Sequence, residues 1–329
     1  MYDHIKLMLY NPFVNDTEKQ LFIKRFALNV KDESKGIFHN KGHETLEQNK
    51  GIFIRYEQGT INRPKSLLTF SFSLHKFYNY NKNGSMYNYN SFNFSEANKA
   101  FLMFNNLINI NLDKAVVKKF EVGINIICDE SPDEYLKELH RIKVQGKDMR
   151  IIEDLHYKEY KQFSTHKDKY KRIIYIFYNK TFEVRSKIKA AEKRNEIPDN
   201  ILRVERDTHR PFELIYWSTL FNPVFQQITK QEFKQRFVDD LEYKAYPVKT
   251  KGITNKQMEI IERIENEGFE GTIKAQREYL KAGRITKKQL RYFILKAKEI
   301  NEKGIKSETQ TSGKAENVKM LIIKEIEKI

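Results

Sequence analysis

Phe120-Glu121-Val122-Gly123-Ile124-Asn125-Ile126-Ile127 alternates side chains, setting Phe120, Val122, Ile124 and Ile126 against Glu121, Gly123 and Asn125. A period of two is that of a β-strand, whose successive side chains point to opposite faces of a sheet. One face of this strand is expected in a core, and the other is polar and carries a carboxylate. Residues 67–77 alternate in the same way, with Leu68, Phe70, Phe72 and Leu74 against Thr69, Ser71, Ser73 and His75. Residues 172–178 are apolar on both faces, as expected of a strand inside a sheet. Residues 201–205 set Leu202 and Val204 against Arg203 and Glu205. Weaker strand patterns run over 5–10, 22–30 and 51–56.

Helices are expected between these strands. An Asn- and Tyr-rich stretch over 78–93 reads as an exposed loop, after which Ser95 caps an apolar-rich helix to about residue 110. Ser131, Pro132 and Glu134 form a helix-start signature and predict a helix to about residue 141. The charged stretch 182–195 reads as a further helix. Glycine-rich nucleotide-binding turns are missing, which disfavours a doubly wound parallel sheet. The fold class is therefore α+β: an antiparallel-rich sheet with helices on one face, over residues 1–248.

From about residue 251 the pattern is wholly helical. Thr254 with Gln257 and Thr286 with Gln289 read as capping boxes, and Gly283 stops the helix between them. Three short helices over 253–302 with a tight third turn resemble a helix-turn-helix module. Residues 256–270 hold two cations and five Glu, whereas 271–298 hold nine cations and one Glu. AT-rich codon usage, which inflates Lys throughout a chain, does not segregate charge in this way. Residues 303–313 read as a linker. Residues 314–329 read as an amphipathic helix, with Val318, Ile322, Ile326 and Ile329 on one stripe suited to docking on the body.

A chain of 329 residues with 40% apolar side chains has material for a sizeable core and two folded units. The formal charge of +16 points to a polyanionic partner. A single cysteine, Cys128, excludes an internal disulfide framework and a thiolate-rich zinc site. Neither a signal peptide nor an apolar run of about 18 residues occurs, so a cytoplasmic protein without a membrane partner is expected.

The polar faces of three strands place Glu121 with Asn125, Arg203 with Glu205, and Ser73 with His75 on one side of one sheet. Facing carboxylates are costly unless a cation joins them. Mg²⁺ or Mn²⁺ would serve, with a phosphate oxygen as a further ligand. The alternative is that Glu121 and Glu205 only pair with Arg203 and nearby Lys on a solvated face. His209 or Asp207, just beyond Glu205, is placed to complete the metal site, and Lys180, Arg203, Arg206 and Arg210 to hold phosphates. On the third helix of the module, Arg284, Lys287, Lys288 and Arg291 are placed for DNA phosphates and base edges.

Met1-Tyr2-Asp3-His4-Ile5, Phe177-Tyr178-Asn179-Lys180 and Leu202-Arg203-Val204-Glu205 resemble segments of the replication initiators of Bacteroidetes plasmids and phages. More distantly they resemble rolling-circle initiators of staphylococcal-type plasmids and filamentous phages. An Arg-x-Asp strand, a Phe/Tyr-Tyr-Asp/Asn-Lys strand and an Arg-x-Glu strand recur there in this order. Lys119-Phe120-Glu121 stands for the first, with Lys for Arg and Glu for Asp. The resemblance covers roughly residues 1–225. It implies a Rep nuclease-like fold and a metal-dependent nicking endonuclease and strand transferase acting at a plasmid or phage origin. A tyrosine would attack the phosphodiester, leaving a phosphotyrosine link and a 3′-OH that primes rolling-circle synthesis. Single- and double-stranded origin DNA, a host helicase or polymerase, and a second copy of the chain are the implied partners. Tyr216, eleven residues after Glu205 in Ile215-Tyr216-Trp217, is the nucleophile this favours; Tyr178, Tyr243 and Tyr246 are lesser candidates. A competing expectation is a DNA-binding replication or transcription regulator without chemistry.

Overall fold

The computed structural model describes residues 2–45, 47–144, 147–153, 162–165, 173–247, 254–303, 309–311 and 313–329. Residues 2–242 and 317–329 form one compact unit, and the intervening stretch up to Glu316 forms another. Most of the linker expected over 303–313 lies outside the described residues, as does Arg172.

The first unit opens with β1 (Tyr2–Tyr10), α1 (Asp16–Arg25), β2 (Asn29–Asp32), β3 (Ile37–His39), β4 (Phe53–Glu57) and β5 (Leu67–Ser73). Two helices follow, α2 (Leu74–Asn83) and α3 (Phe94–Ile108), and then β6 (Val116–Ile127), α4 (Pro132–Leu136), β7 (Leu139–Val144), β8 (Lys147–Glu153), β9 (Gln162–Thr165) and β10 (Ile173–Asn179). α5 (Lys180–Lys187), α6 (Ala191–Asn195), β11 (Ile201–His209), α7 (Pro223–Lys234) and β12 (Leu241–Tyr243) complete the series before the second unit. The strands form one sheet in the order β12-β7-β8-β9-β10-β11-β6-β1-β5-β4-β3-β2. β1 pairs with β5 on one side and β6 on the other, and β6 pairs with β11, all antiparallel. The α+β class with a large antiparallel sheet is thus as expected.

The alternation read in the sequence divides the two faces. Ile5, Leu7, Phe70, Phe72, Phe120, Val122 and Val204 are buried beneath helices. Phe72 stacks on Phe104 of α3 with ring centroids 4.6 Å apart, and Phe237, just after α7, meets Tyr175 and Phe177 of β10 edge-on. Trp217 is buried against Phe104 and donates its indole N–H to Asn105 Oδ1 at 2.8 Å. The opposite face of β1, β6 and β11 carries the polar set.

Several local expectations change. Residues 74–83 form α2, which Ser73 caps and Gly84 ends in the left-handed conformation, so His75 belongs to a helix. The stretch 22–30 holds the end of α1 and the start of β2. Ser131 makes no side-chain cap bond, and α4 stops at Leu136 because Leu139 and Ile142 are buried in a paired strand, β7. The charged stretch 182–195 divides into the end of α5 and α6.

The second unit contains β13 (Ala245–Pro247), α8 (Asn255–Lys281), α9 (Lys287–Glu302) and β14 (Thr309–Thr311), with β13 and β14 paired antiparallel. α8 turns at Gly268, whose φ of 71° lies where only glycine sits without strain, so the expected first and second helices meet there. Both capping boxes form, Thr254 with Gln257 and Thr286 with Gln289. The module's core is Ile260, Ile261, Ile273, Ala297 and Ile300. Helix α10 (Gly313–Glu327) contributes residues from Asn317 onward to the first unit, where Val318, Ile322 and Ile326 are buried. Asn317 there donates to Asp129 and to the Tyr135 hydroxyl, both at 3.3 Å. No helix among the described residues is long and apolar enough to cross a membrane.

Candidate metal centre

Three strands converge on one acidic point. Among the described residues, one carboxylate oxygen each of Asp3, Glu121 and Glu205 lie within 4.8 Å of one another. Glu121 and Glu205 arrive by alternation, on the open faces of β6 and β11. Asp3 arrives by a β-bulge. Tyr2 is opposite Val122 and Ile5 opposite Phe120, so Asp3 and His4 together face the single residue Glu121. An extra residue in one strand re-aims side chains in this way and sharpens the local twist.

Arg203 runs through the cluster, almost wholly buried. Its guanidinium donates to Asp3 Oδ2 at 2.9 Å, to Glu205 Oε1 at 2.8 Å and to Asn125 Oδ1 at 3.0 Å. Gly123, opposite Glu205 in the register, gives it room: a Cβ there would lie 2.7 Å from Arg203 Nη2 and 2.9 Å from Glu205 Cγ. Asp3 also accepts from Asn88 Nδ2 at 2.7 Å and from the Ser73 hydroxyl. Asn125 Nδ2 in turn donates to the carbonyls of Asn88 and Asn90, so the Asn-rich segment after α2 lies against the centre. The Tyr178 hydroxyl donates to Glu205 Oε1 at 3.2 Å. Lys180 is buried, pairs with Glu183 at 3.0 Å, and has its ammonium 5.6 Å from the Tyr178 ring centroid. A cavity of ≈ 140 Å³ beside Asp3, Asn125 and Arg203 is also lined by Glu325 and Lys328.

The electrostatics reflect a surplus of negative charge. Burial, then the neighbouring Glu205, push the Glu121 carboxyl up to about 8 against the pull of Lys119. Burial alone would raise Asp3, but Arg203, His75, Lys180 and the Ser73 hydroxyl hold it well below the usual carboxylate range. Burial and then Glu205 raise the Tyr178 phenol well above its ordinary value. Three carboxylates and one guanidinium leave room for a hard divalent cation, which takes oxygen ligands. Removal of the proton that Glu121 retains would supply the third anionic ligand.

Beyond the acidic point the same face turns basic. Lys119 Nζ bridges Glu121 at 2.7 Å and Asp207 at 3.1 Å. Lys6, Lys118, Lys119, His209 and Arg210 line a groove of ≈ 770 Å³. Tyr216 is paired with a residue of that groove. It forms an antiparallel bridge with Val116, itself a lining residue, through Val117 N–H to Ile215 C=O and Trp217 N–H to Ala115 C=O, both at 2.8 Å. Residues opposite one another in an antiparallel pair share a face, so the half-exposed phenol of Tyr216 is on the open side while Trp217 is in the core.

The expected site residues therefore fall into separate places. Glu121, Glu205 and Arg203 meet, with Lys180 close by. His209 does not join the carboxylates; its Nε2 is 2.8 Å from Asp207 Oδ2, and Asp3 supplies the third carboxylate. Arg206 does not reach the groove: it alternates with Leu202 and Val204 onto the helix-covered side and donates to Glu232 Oε2 at 2.6 Å. Arg210 lines the groove, with its backbone N–H bonded to the Lys118 carbonyl at 2.8 Å. Tyr216 is opposite Val116, five residues along β6 from Glu121, or roughly 17 Å at 3.3 to 3.4 Å per residue. Tyr243 is raised above its ordinary value by burial. Lys287, Lys288 and Arg291 are exposed in the first turns of α9, and Arg284 is exposed in the turn between α8 and α9 rather than on the third helix. No protein-family model, curated protein or solved structure matches the chain.

Proposed function

We propose that the chain is a replication initiator of rolling-circle type, which nicks one strand of origin DNA through a divalent metal and a tyrosine. The observation that carries this reading is the meeting of Asp3, Glu121 and Glu205, with Glu121 paired to Lys119 of a basic groove whose Val116 is in turn paired with Tyr216. Asp3, Glu121 and Glu205 would hold Mg²⁺ or Mn²⁺, which when bound neutralises charge on a phosphodiester oxygen. Arg203 keeps Asp3 ionised and orients both Asp3 and Glu205. Lys6, Lys118 and Arg210 take the flanking phosphates. The phenol of Tyr216, half-exposed and paired through its backbone with Val116 of β6, attacks phosphorus. Tyr178 is a poor nucleophile here, since it is buried, raised in pKa and already committed to Glu205. The Rep nuclease-like character of the sheet unit is part of this proposal.

The helical unit is proposed to read duplex DNA as a helix-turn-helix. The exposed cations at the start of α9 and the basic bias of residues 271–298 support this assignment.

Incubation with Mn²⁺ and a supercoiled plasmid carrying the DNA that flanks the gene tests the reading. Covalent protein–DNA adducts are expected, absent in Tyr216→Phe and Glu121→Gln and retained in Tyr178→Phe. Specific binding of that DNA with no nicking would leave the non-catalytic regulator.

A further inference from the structure

The open face of β6 and its partner strand forms a linear array. Opposite Val116, Lys119, Glu121, Gly123 and Asn125 stand, in turn, Tyr216, His209, Asp207, Glu205 and Arg203. His209 lies between the tyrosine and the acidic point, on the same side of β6 as Tyr216. The chain leaves β11 after His209, loops out through Pro211 to Leu214 along the groove wall, and returns to β6 at Ile215. His209 and Tyr216 are thus opposite positions three residues apart, roughly 10 Å along the strand, a separation that a phenol and an imidazole leaning together can bridge.

His209 is also held as a proton-transfer residue is held. Its Nε2 meets Asp207 Oδ2 at 2.8 Å, while the Asp207 carboxylate is buried, takes Lys119 at 3.1 Å, and keeps Oδ1 without a hydrogen-bond partner among the described residues. A buried carboxylate on one ring nitrogen sets the tautomer and aims the other nitrogen. The imidazole itself stays 40% exposed and lines the groove, so Nδ1 is on the side where a phosphodiester would lie. Around it stand Asp207 on its own strand, Lys119 and Lys118 on β6, His4 and Lys6 on β1, and Arg210 on the loop.

We infer that His209, oriented by Asp207, is the acid–base residue of the groove and takes the proton of the Tyr216 hydroxyl. This inference rests on the nicking reading above. As Tyr216 Oη bonds to phosphorus and the bond from phosphorus to the 3′-oxygen breaks, the phenol proton passes to His209 Nδ1. The departing 3′-oxygen takes its proton from water. In the rejoining reaction the imidazolium returns the proton to the phenolate as it leaves. His209 is a catalytic residue in this scheme and Asp207 a positioning residue.

The test uses the full chain, Mn²⁺ and a labelled pool of single-stranded 40-nucleotide DNA of randomised sequence, scoring denaturant-resistant adducts. His209→Gly is expected to slow adduct formation on the order of 10²-fold, the low end of what a positioned base contributes, and to recover with added imidazole. Its Mn²⁺ affinity, by titration, should match that of the unaltered chain. Asp207→Asn should slow the reaction while Asp207→Glu restores part of it, and imidazole should rescue neither. Undiminished adduct formation in a folded His209→Gly would overturn the inference and leave the nicking reading standing. So would a loss of Mn²⁺ affinity, since His209 would then be a ligand. Absence of adducts with the unaltered chain would sink the nicking reading, and this inference with it.

Discussion

Gly123 shows how one atom governs the centre. The guanidinium of Arg203 lies close against it, and a methyl group would force that guanidinium off Asp3, Asn125 and Glu205 together. Gly123→Ala is expected to cost about 1 to 3 kcal/mol, the usual penalty of overpacking, and to weaken Mn²⁺ binding; denaturant unfolding and metal titration read the two effects. Glu121 sets a pH dependence. Its folded-state carboxyl is raised to about 8, so the folded chain holds a proton the unfolded chain releases, and stability from this group is lost as pH rises through that value. His4 and His75 are lowered, by burial first, to about 4 and 3; they favour folding when neutral and lose that contribution as pH falls below the ordinary 6.5. In a chelator, thermal stability should therefore peak near neutrality. Glu121→Gln should flatten the alkaline limb and Mn²⁺ should lift it, because metal binding takes the place of that proton. A stability curve still falling above pH 7 in Glu121→Gln would assign the limb elsewhere. Glu205 and Arg203 were legible in the sequence because they alternate cleanly with Leu202 and Val204. The rule that placed them also sends Arg206 to the opposite side, where it is spent on Glu232.

At the scale of elements, the regular strands were legible and the departures from regularity were not. Asp3 escaped the alternation because the bulge puts two successive residues on one face. The Asn- and Tyr-rich stretch reads as loop because such residues favour turns, yet its first part is α2 and Asn88, further on, is buried against Asp3. Helix caps divide in the same way. Thr254 and Thr286 accept from the backbone of Gln257 and Gln289 at 3.4 and 3.2 Å, and either Thr→Ala is expected to cost about 1 kcal/mol of module stability. Ser131 carries the same signature and makes no such bond, so Ser131→Ala should change the denaturant midpoint little. The β7 pairing that cuts α4 short is a tertiary demand no local signal announces.

At the scale of the molecule, charge and chain order matter most. Replacing Arg284, Lys287, Lys288 and Arg291 with Gln should reduce the magnitude of the slope of log K against log salt for duplex DNA by about 3 to 4, at roughly 0.9 per phosphate contact. Filter or fluorescence titration over a salt series measures it, and an unchanged slope would remove α9 from the interface. The sheet order carries a consequence of another kind. β1 is flanked by β5 and β6, and its Asp3 bonds Arg203 across 200 positions of sequence. A ribosome adding roughly 5 to 20 residues per second emits Arg203 some 10 to 40 s after Asp3. For the part of that interval before β6 emerges, β1 lacks one of its two neighbours, and until β11 follows, Asp3 lacks its guanidinium partner, so the strand stays open to chaperones and to the strands of nascent copies on the same message.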